Sequence, residues 1–147
     1  MIPSFANAEI ALKSTVDSKP LKIAPNLIDT PAVKQFQATG KNVYLGNADA
    51  IKAGKKTYQL YSCNACHGGK GEGAVGPNLI DDTWNHAKNA TDQGIFETIW
   101  AGTAGGMGAK GVGLMSPSDP TLGMTPDELL KVIAFIRSNS VSKVAGK

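Results

Sequence analysis

Apolar residues recur at helical spacing in several stretches of this chain and nowhere keep the strict two-residue alternation of a strand. The best-signed stretch is the last. Thr125-Pro126-Asp127-Glu128 supplies a capping threonine, a proline at the first helical position and a glutamate three residues after the cap. Leu129, Val132, Ile133 and Ile136 then line one face, flanked by Leu130 and Phe135. A second helix is predicted from about Asp92 to Trp100, where Ile95, Phe96, Ile99 and Trp100 form a compact apolar stripe. A third starts at Asp49, read as its cap, with Ile51, Tyr58 and Tyr61 able to share a face. Upstream, Pro20, Pro25, Pro31 and Gly40 interrupt every candidate helix except a short one, Ala32 to Gln37. The pattern predicts an all-α class, with residues 9–48 an irregular arm that wraps the domain, 49–138 the helical domain and 139–147 a tail.

A chain of 147 residues suits one domain. Charged residues make up only 18%, and the 17 glycines are many, so regular structure should cover less of the chain than usual. The net charge of +3 comes from dispersed lysines and the single Arg137. That is too mild and too scattered for nucleic acid, and allows only weak attraction to an acidic partner. No run approaches the ~20 apolar residues of a membrane helix, so no membrane insertion is expected. Ala6-Asn7-Ala8 before Glu9 resembles a signal-peptidase cleavage sequence, which makes residues 1–8 read as a leader remnant and points to export.

Cys63-Asn64-Ala65-Cys66-His67 is the segment that dictates chemistry. C-x-x-C-H is the pattern that receives a c-type haem. Two thiols three residues apart sit on one helical turn and can add to the two vinyl groups of one porphyrin. The next histidine is then held under the iron as its proximal ligand. A zinc site would need four Cys or His ligands, and the chain has two of each, with His86 outside any finger-like spacing. A thioredoxin-type pair wants a strand before it, whereas a helical pattern precedes this one. The cofactor read from the motif is one haem c, covalent through Cys63 and Cys66.

The sixth iron position decides between electron transfer and open-site chemistry. Met107, Met115, Met124 and His86 are the downstream candidates. Met107 follows two glycines and precedes a third, which lets backbone approach a porphyrin closely. Met115 lies in a longer loop and competes with it. Met124 directly precedes a helix cap and reads as a core filler, and His86 as a surface residue. A methionine ligand suits a carrier, whereas a vacant site would suit a haem peroxidase or a gas sensor. Ile95, Ile99 and Trp100 are candidate haem neighbours on their helix, and Trp84 a candidate for the haem rim or a propionate.

Gly54 and Tyr58, the haem motif, Gly76-Pro77-Asn78-Leu79 and a last helix bearing Phe135 resemble a class I cytochrome c. The resemblance implies that first and last helices cross at Gly54 beside a Tyr58–Phe135 pair. It also implies that Pro77 accepts a hydrogen bond from the ring of His67. The segments Glu72-Gly73, Asp81-Asp82-Thr83-Trp84 and Asn89 to Ile99, with residues 31–51, are further similar to cytochrome cL. That family comprises periplasmic electron acceptors of methanol dehydrogenases that use pyrroloquinoline quinone (PQQ). The likeness covers roughly residues 31–137. It places the axial methionine on Met107, opposite His67. It implies transient docking to such a dehydrogenase and onward transfer to a downstream cytochrome c or terminal oxidase, with no catalytic residue of its own. The long glycine- and proline-rich run from Gly108 to Thr125, the short tail and the mild basicity look more like the lanthanide-dependent branch. A general periplasmic shuttle would share every haem residue.

Overall fold

The computed structural model describes residues 9–80, 84, 86–116 and 118–140. The leader remnant expected at residues 1–8, the family-like Asp81-Asp82-Thr83 and the end of the tail lie outside the described residues. Five helices carry the fold: α1 (Pro31–Thr39), α2 (Ala48–Leu60), α3 (Cys63–His67), α4 (Asp92–Ala101) and α5 (Pro126–Ser138). A two-residue antiparallel ladder, β1 (Leu12–Lys13) with β2 (Pro20–Leu21), and an isolated bridge between Gly111 and Met124 are departures from helix that hydropathy did not signal. Two residues per strand are too few for alternation to register.

Local signals explain the helix limits. Thr125 accepts from the Glu128 amide while Glu128 answers the Thr125 amide, a complete capping box that starts α5 as expected. Thr91 caps α4 through the Gly94 amide. At α2 the expectation was one turn element off. Asn47, not Asp49, caps the helix by accepting from the Ala50 amide, and Asp49 sits in the first turn. Pro31 likewise opens α1 instead of interrupting it, with Thr30 as cap, so α1 extends beyond the expected Ala32–Gln37 at both ends.

α2 and α5 cross at Gly54. A Cβ there would overlap the Lys131 carbonyl, so only glycine lets the two backbones meet. Beside the crossing, the rings of Tyr58 and Phe135 lie 5.1 Å apart, and Tyr58 is fully buried. α5 is buried on nearly every side: Leu129, Leu130, Val132, Ile133 and Ile136 are all at most 1% exposed. It is therefore a central helix and not a half-solvated one.

The N-terminal arm is tied down by polar contacts. Buried Glu97 of α4 accepts from the Lys13 amide at 2.6 Å and pairs with Lys88 at 3.0 Å. The side chain of Gln93 donates to the Ala11 carbonyl, and Ile10 donates to the Gln37 carbonyl. Asp127 of α5 receives the hydroxyls of Thr30 and Tyr44 and the Lys131 ammonium. Arg137, also buried, bonds Asp92 at 3.3 Å and the Asn89 carbonyl at 3.0 Å, pinning the end of α5 to the start of α4.

Candidate functional site

Helix α2 ends at Leu60, and the chain turns through Ser62, whose backbone adopts the left-handed conformation at φ 60°. A serine there costs roughly 1 kcal/mol. The turn starts the single helical turn α3, so Cys63 and Cys66 are presented from consecutive positions of one helical face. Both thiols and the ring of His67 line a cavity of about 520 Å³. Burial pushes the Cys63 thiol pKa up, which keeps an uncoupled thiol protonated.

The imidazole of His67 is fixed from two directions. Its Nδ1 lies 2.8 Å from the Pro77 carbonyl, the contact that the resemblance implied. A carbonyl can only accept, so Nδ1 carries the proton and Nε2 keeps its lone pair for a metal. Gly76 closes the other side: a Cβ on it would stand 2.9 Å from the ring's Cε1. Tyr58 donates its hydroxyl to the Gly68 carbonyl at 2.6 Å, anchoring the chain just beyond α3.

The facing wall begins at the end of α4. Gly102, at φ 81°, ends the helix where a Cβ would collide with the Ala109 amide. The loop then doubles back, with the Thr103 amide donating to the Met107 carbonyl at 2.8 Å. Met107 lines the cavity; neither Met115 nor Met124 does. Met124 is fully buried in the core, its backbone laddered to Lys110 and Val112. The sequence left Met107 and Met115 as local competitors; of the two, Met107 lines the cavity.

Of the other candidates, Trp84, Ile95, Ile99 and Pro77 line the cavity. Trp100 is a correction. It does not reach the cavity but stacks on Phe96 at 5.6 Å and fills the core, with Gly111 flat against its indole. The apolar stripe of α4 is thus split: Ile95 and Ile99 face the site, and Phe96 and Trp100 face away. Exposed His86 lines the cavity as well. Sequence reasoning missed Val132 and Ile136 of α5, together with Asn89, Thr98 and Lys110. The first two were legible only as core; the polar three carried no local signal.

The residues fit a haem. The cavity falls within the roughly 300–1,000 Å³ of cofactor sites, its walls are mostly apolar, and both thiols and the oriented imidazole meet at it. The family model for cytochrome c matches residues 51–140. This chain belongs to the cytochrome c family. Its cofactor is a single haem c held covalently through Cys63 and Cys66. Among curated relatives it is 41% identical over 109 residues to cytochrome c-L of Methylorubrum extorquens, a match covering 74% of this chain and 50% of that protein. It is 33% identical over 101 residues to the CcoP subunit of a cbb3-type cytochrome c oxidase from Azospirillum, covering 65% of this chain and 33% of that one. The chain therefore spans half or less of the length of these curated relatives.

Two solved structures extend the likeness. Cytochrome cL of Methylophaga aminisulfidivorans superimposes with a TM-score of 0.75 at 34% identity, covering 90% of this chain and 82% of that one. Cytochrome cL of Hyphomicrobium denitrificans gives 0.74 at 40% identity, covering 88% and 73%. The mostly helical class I cytochrome c fold, with its small sheet, is shared with both.

Proposed function

We propose that this cytochrome is a periplasmic electron carrier and not an enzyme, with His67 and Met107 as the two axial ligands of its iron. The observation that carries the reading is that Met107, alone of Met107, Met115 and Met124, lines the same cavity as Cys63, Cys66 and His67. Haem iron supplies one-electron chemistry, cycling between ferric and ferrous. Pro77 fixes the tautomer of His67 and leaves Nε2 as the donor atom. The thioether of Met107 would supply the second iron ligand, a donor that excludes exogenous ligands and favours the reduced state. Ile95, Ile99, Val132 and Ile136 keep water from the buried side. Among the described residues no helix is long and apolar enough to cross a membrane.

The electron donor in this reading is a PQQ-dependent methanol dehydrogenase, in the lanthanide-dependent branch, docked transiently. Electrons leave to a downstream cytochrome c or terminal oxidase. The support is the run of cytochrome cL relatives. The likeness to an oxidase subunit favours a second reading, a general periplasmic shuttle.

Two measurements test this. Ferric holoprotein should show the near-red band of methionine-sulfur ligation, and Met107→Ala should abolish it while the covalent haem remains; a five-coordinate wild type overturns the carrier. Stopped-flow reduction by calcium- and lanthanide-loaded methanol dehydrogenases, side by side, should be fast with the lanthanide form. Equal sluggishness with both favours the general shuttle.

A further inference from the structure

One side chain on the cavity wall is nine-tenths buried yet keeps an unused donor. Asn89 is 7% exposed and lines the site. Its backbone carbonyl accepts from Arg137 at 3.0 Å, and its side-chain oxygen accepts from Thr98 at 2.6 Å. Its side-chain amide nitrogen makes no hydrogen bond among the described residues. The space open beside Asn89 is the cavity that it lines.

The orientation of this amide is not arbitrary. A contact of 2.6 Å to Thr98 is short for N–H···O and ordinary for O–H···O, so the oxygen faces Thr98 and the nitrogen faces the other way. Thr98 has one hydroxyl proton, and two acceptors share it, the Asn89 oxygen and the Gly94 carbonyl at 3.0 Å. The 2.9 Å contact between Thr98 and Thr15 must then run the opposite way, with Thr15 donating. Thr15 belongs to the N-terminal arm, 83 residues away in sequence. A hydroxyl relay therefore runs from the arm, through α4, to the wall of the haem site.

What the nitrogen would meet follows from porphyrin chemistry. A haem bound through its vinyl groups still carries two propionate carboxylates, and these need donors or cations wherever they are buried. No Asp or Glu lines the cavity among the described residues, and Arg137 lies directly behind Asn89. We propose that Asn89 donates its side-chain N–H to a haem propionate, and that Thr15, acting through Thr98, is the positioning residue that holds the amide in register. The arm is then part of the cofactor site without touching the cofactor. This rests on the covalent haem c reading.

The test uses ferrous, diamagnetic holoprotein, with covalent attachment first confirmed from the absorption of the denatured protein. In the wild type, the Asn89 amide protons should show nuclear Overhauser contacts to propionate methylene protons. They should exchange with solvent at least about tenfold more slowly than exposed asparagine amides. Thr15→Val, close in shape but without a donor, should lose most of that protection and shift the propionate bending bands in the resonance Raman spectrum. Thr15→Ser should restore both. A loss of packing alone would not be rescued by serine, which lacks the methyl group. Haem present but no contact between Asn89 and a propionate overturns the proposal and leaves the family reading intact. So does unchanged protection in Thr15→Val. A chain that carries no covalent haem overturns both.

Discussion

At the scale of single residues, Asp127 is the group whose charge the fold uses most openly. Burial alone would push its carboxyl up. The hydroxyls of Tyr44 and Thr30 and the Lys131 ammonium outweigh that and hold it below the ordinary carboxylate range. Its partner Tyr44 is pushed up to about 12 by burial and by the same carboxylate, so it stays a donor across the physiological range. A depressed carboxyl contributes stability that is fully present above its unfolded pKa, about 4, and is lost as pH falls through the folded value. Asp127→Asn should therefore lower the melting temperature at neutral pH and flatten the acid limb. The gap between the two proteins should close as pH drops below about 4, as read by thermal melts of both holoproteins. A gap that stays constant down to pH ~2 would mean the carboxylate is not the anchor.

At the scale of elements, legibility followed sequence distance. The start of α5 is written in four consecutive residues, and its capping box is present as read. Thr125→Ala should cost about 1 kcal/mol in urea unfolding of the holoprotein, with little change in slope. The start of α2 was misread by two residues because Asn47 and Asp49 are both competent caps, and only backbone geometry chooses between them. Trp100 was misassigned for a different reason. Periodicity tells which residues share a stripe but not which neighbour each half of the stripe meets. On α4 one edge, Ile95 and Ile99, meets the haem cavity, and the other, Phe96 and Trp100, meets Phe36 and the Gly111 backbone. The arm was legible as a chain rich in breakers. Its anchoring was not, because Glu97 and Thr98 recognise it through backbone amides and single hydroxyls that leave no pattern in sequence.

At the scale of the whole molecule, the haem motif could be read at once because its chemistry sits in five consecutive residues. The rest of the site is assembled from α2, α4, α5 and three loops, and such convergence is invisible to local spacing. Charge is the property that reaches beyond the site. Lys52, Lys55, Lys56 and Lys70 are exposed, and none is in a salt bridge among the described residues. If they steer an acidic partner, replacing all four with glutamine should flatten the dependence of the electron-transfer rate on ionic strength and slow association at low salt. An unchanged slope would assign them to an ordinary solvated face.

The turn bearing Met107 is fastened differently from everything around it. Between Gly102 and Ala109 its stitches among the described residues are the Thr103 amide to the Met107 carbonyl and the Gly105 amide to the Thr103 hydroxyl. Such a stitch can come undone while the crossing of α2 and α5 stays shut. With Met107 as the proposed iron ligand, imidazole added to ferric holoprotein should thus enter at a rate capped by this unlatching, and Thr125→Ala, which loosens the bundle, should leave that ceiling where it was. Entry that quickens in step with global destabilisation would mean the sulfur's door opens only when the house does.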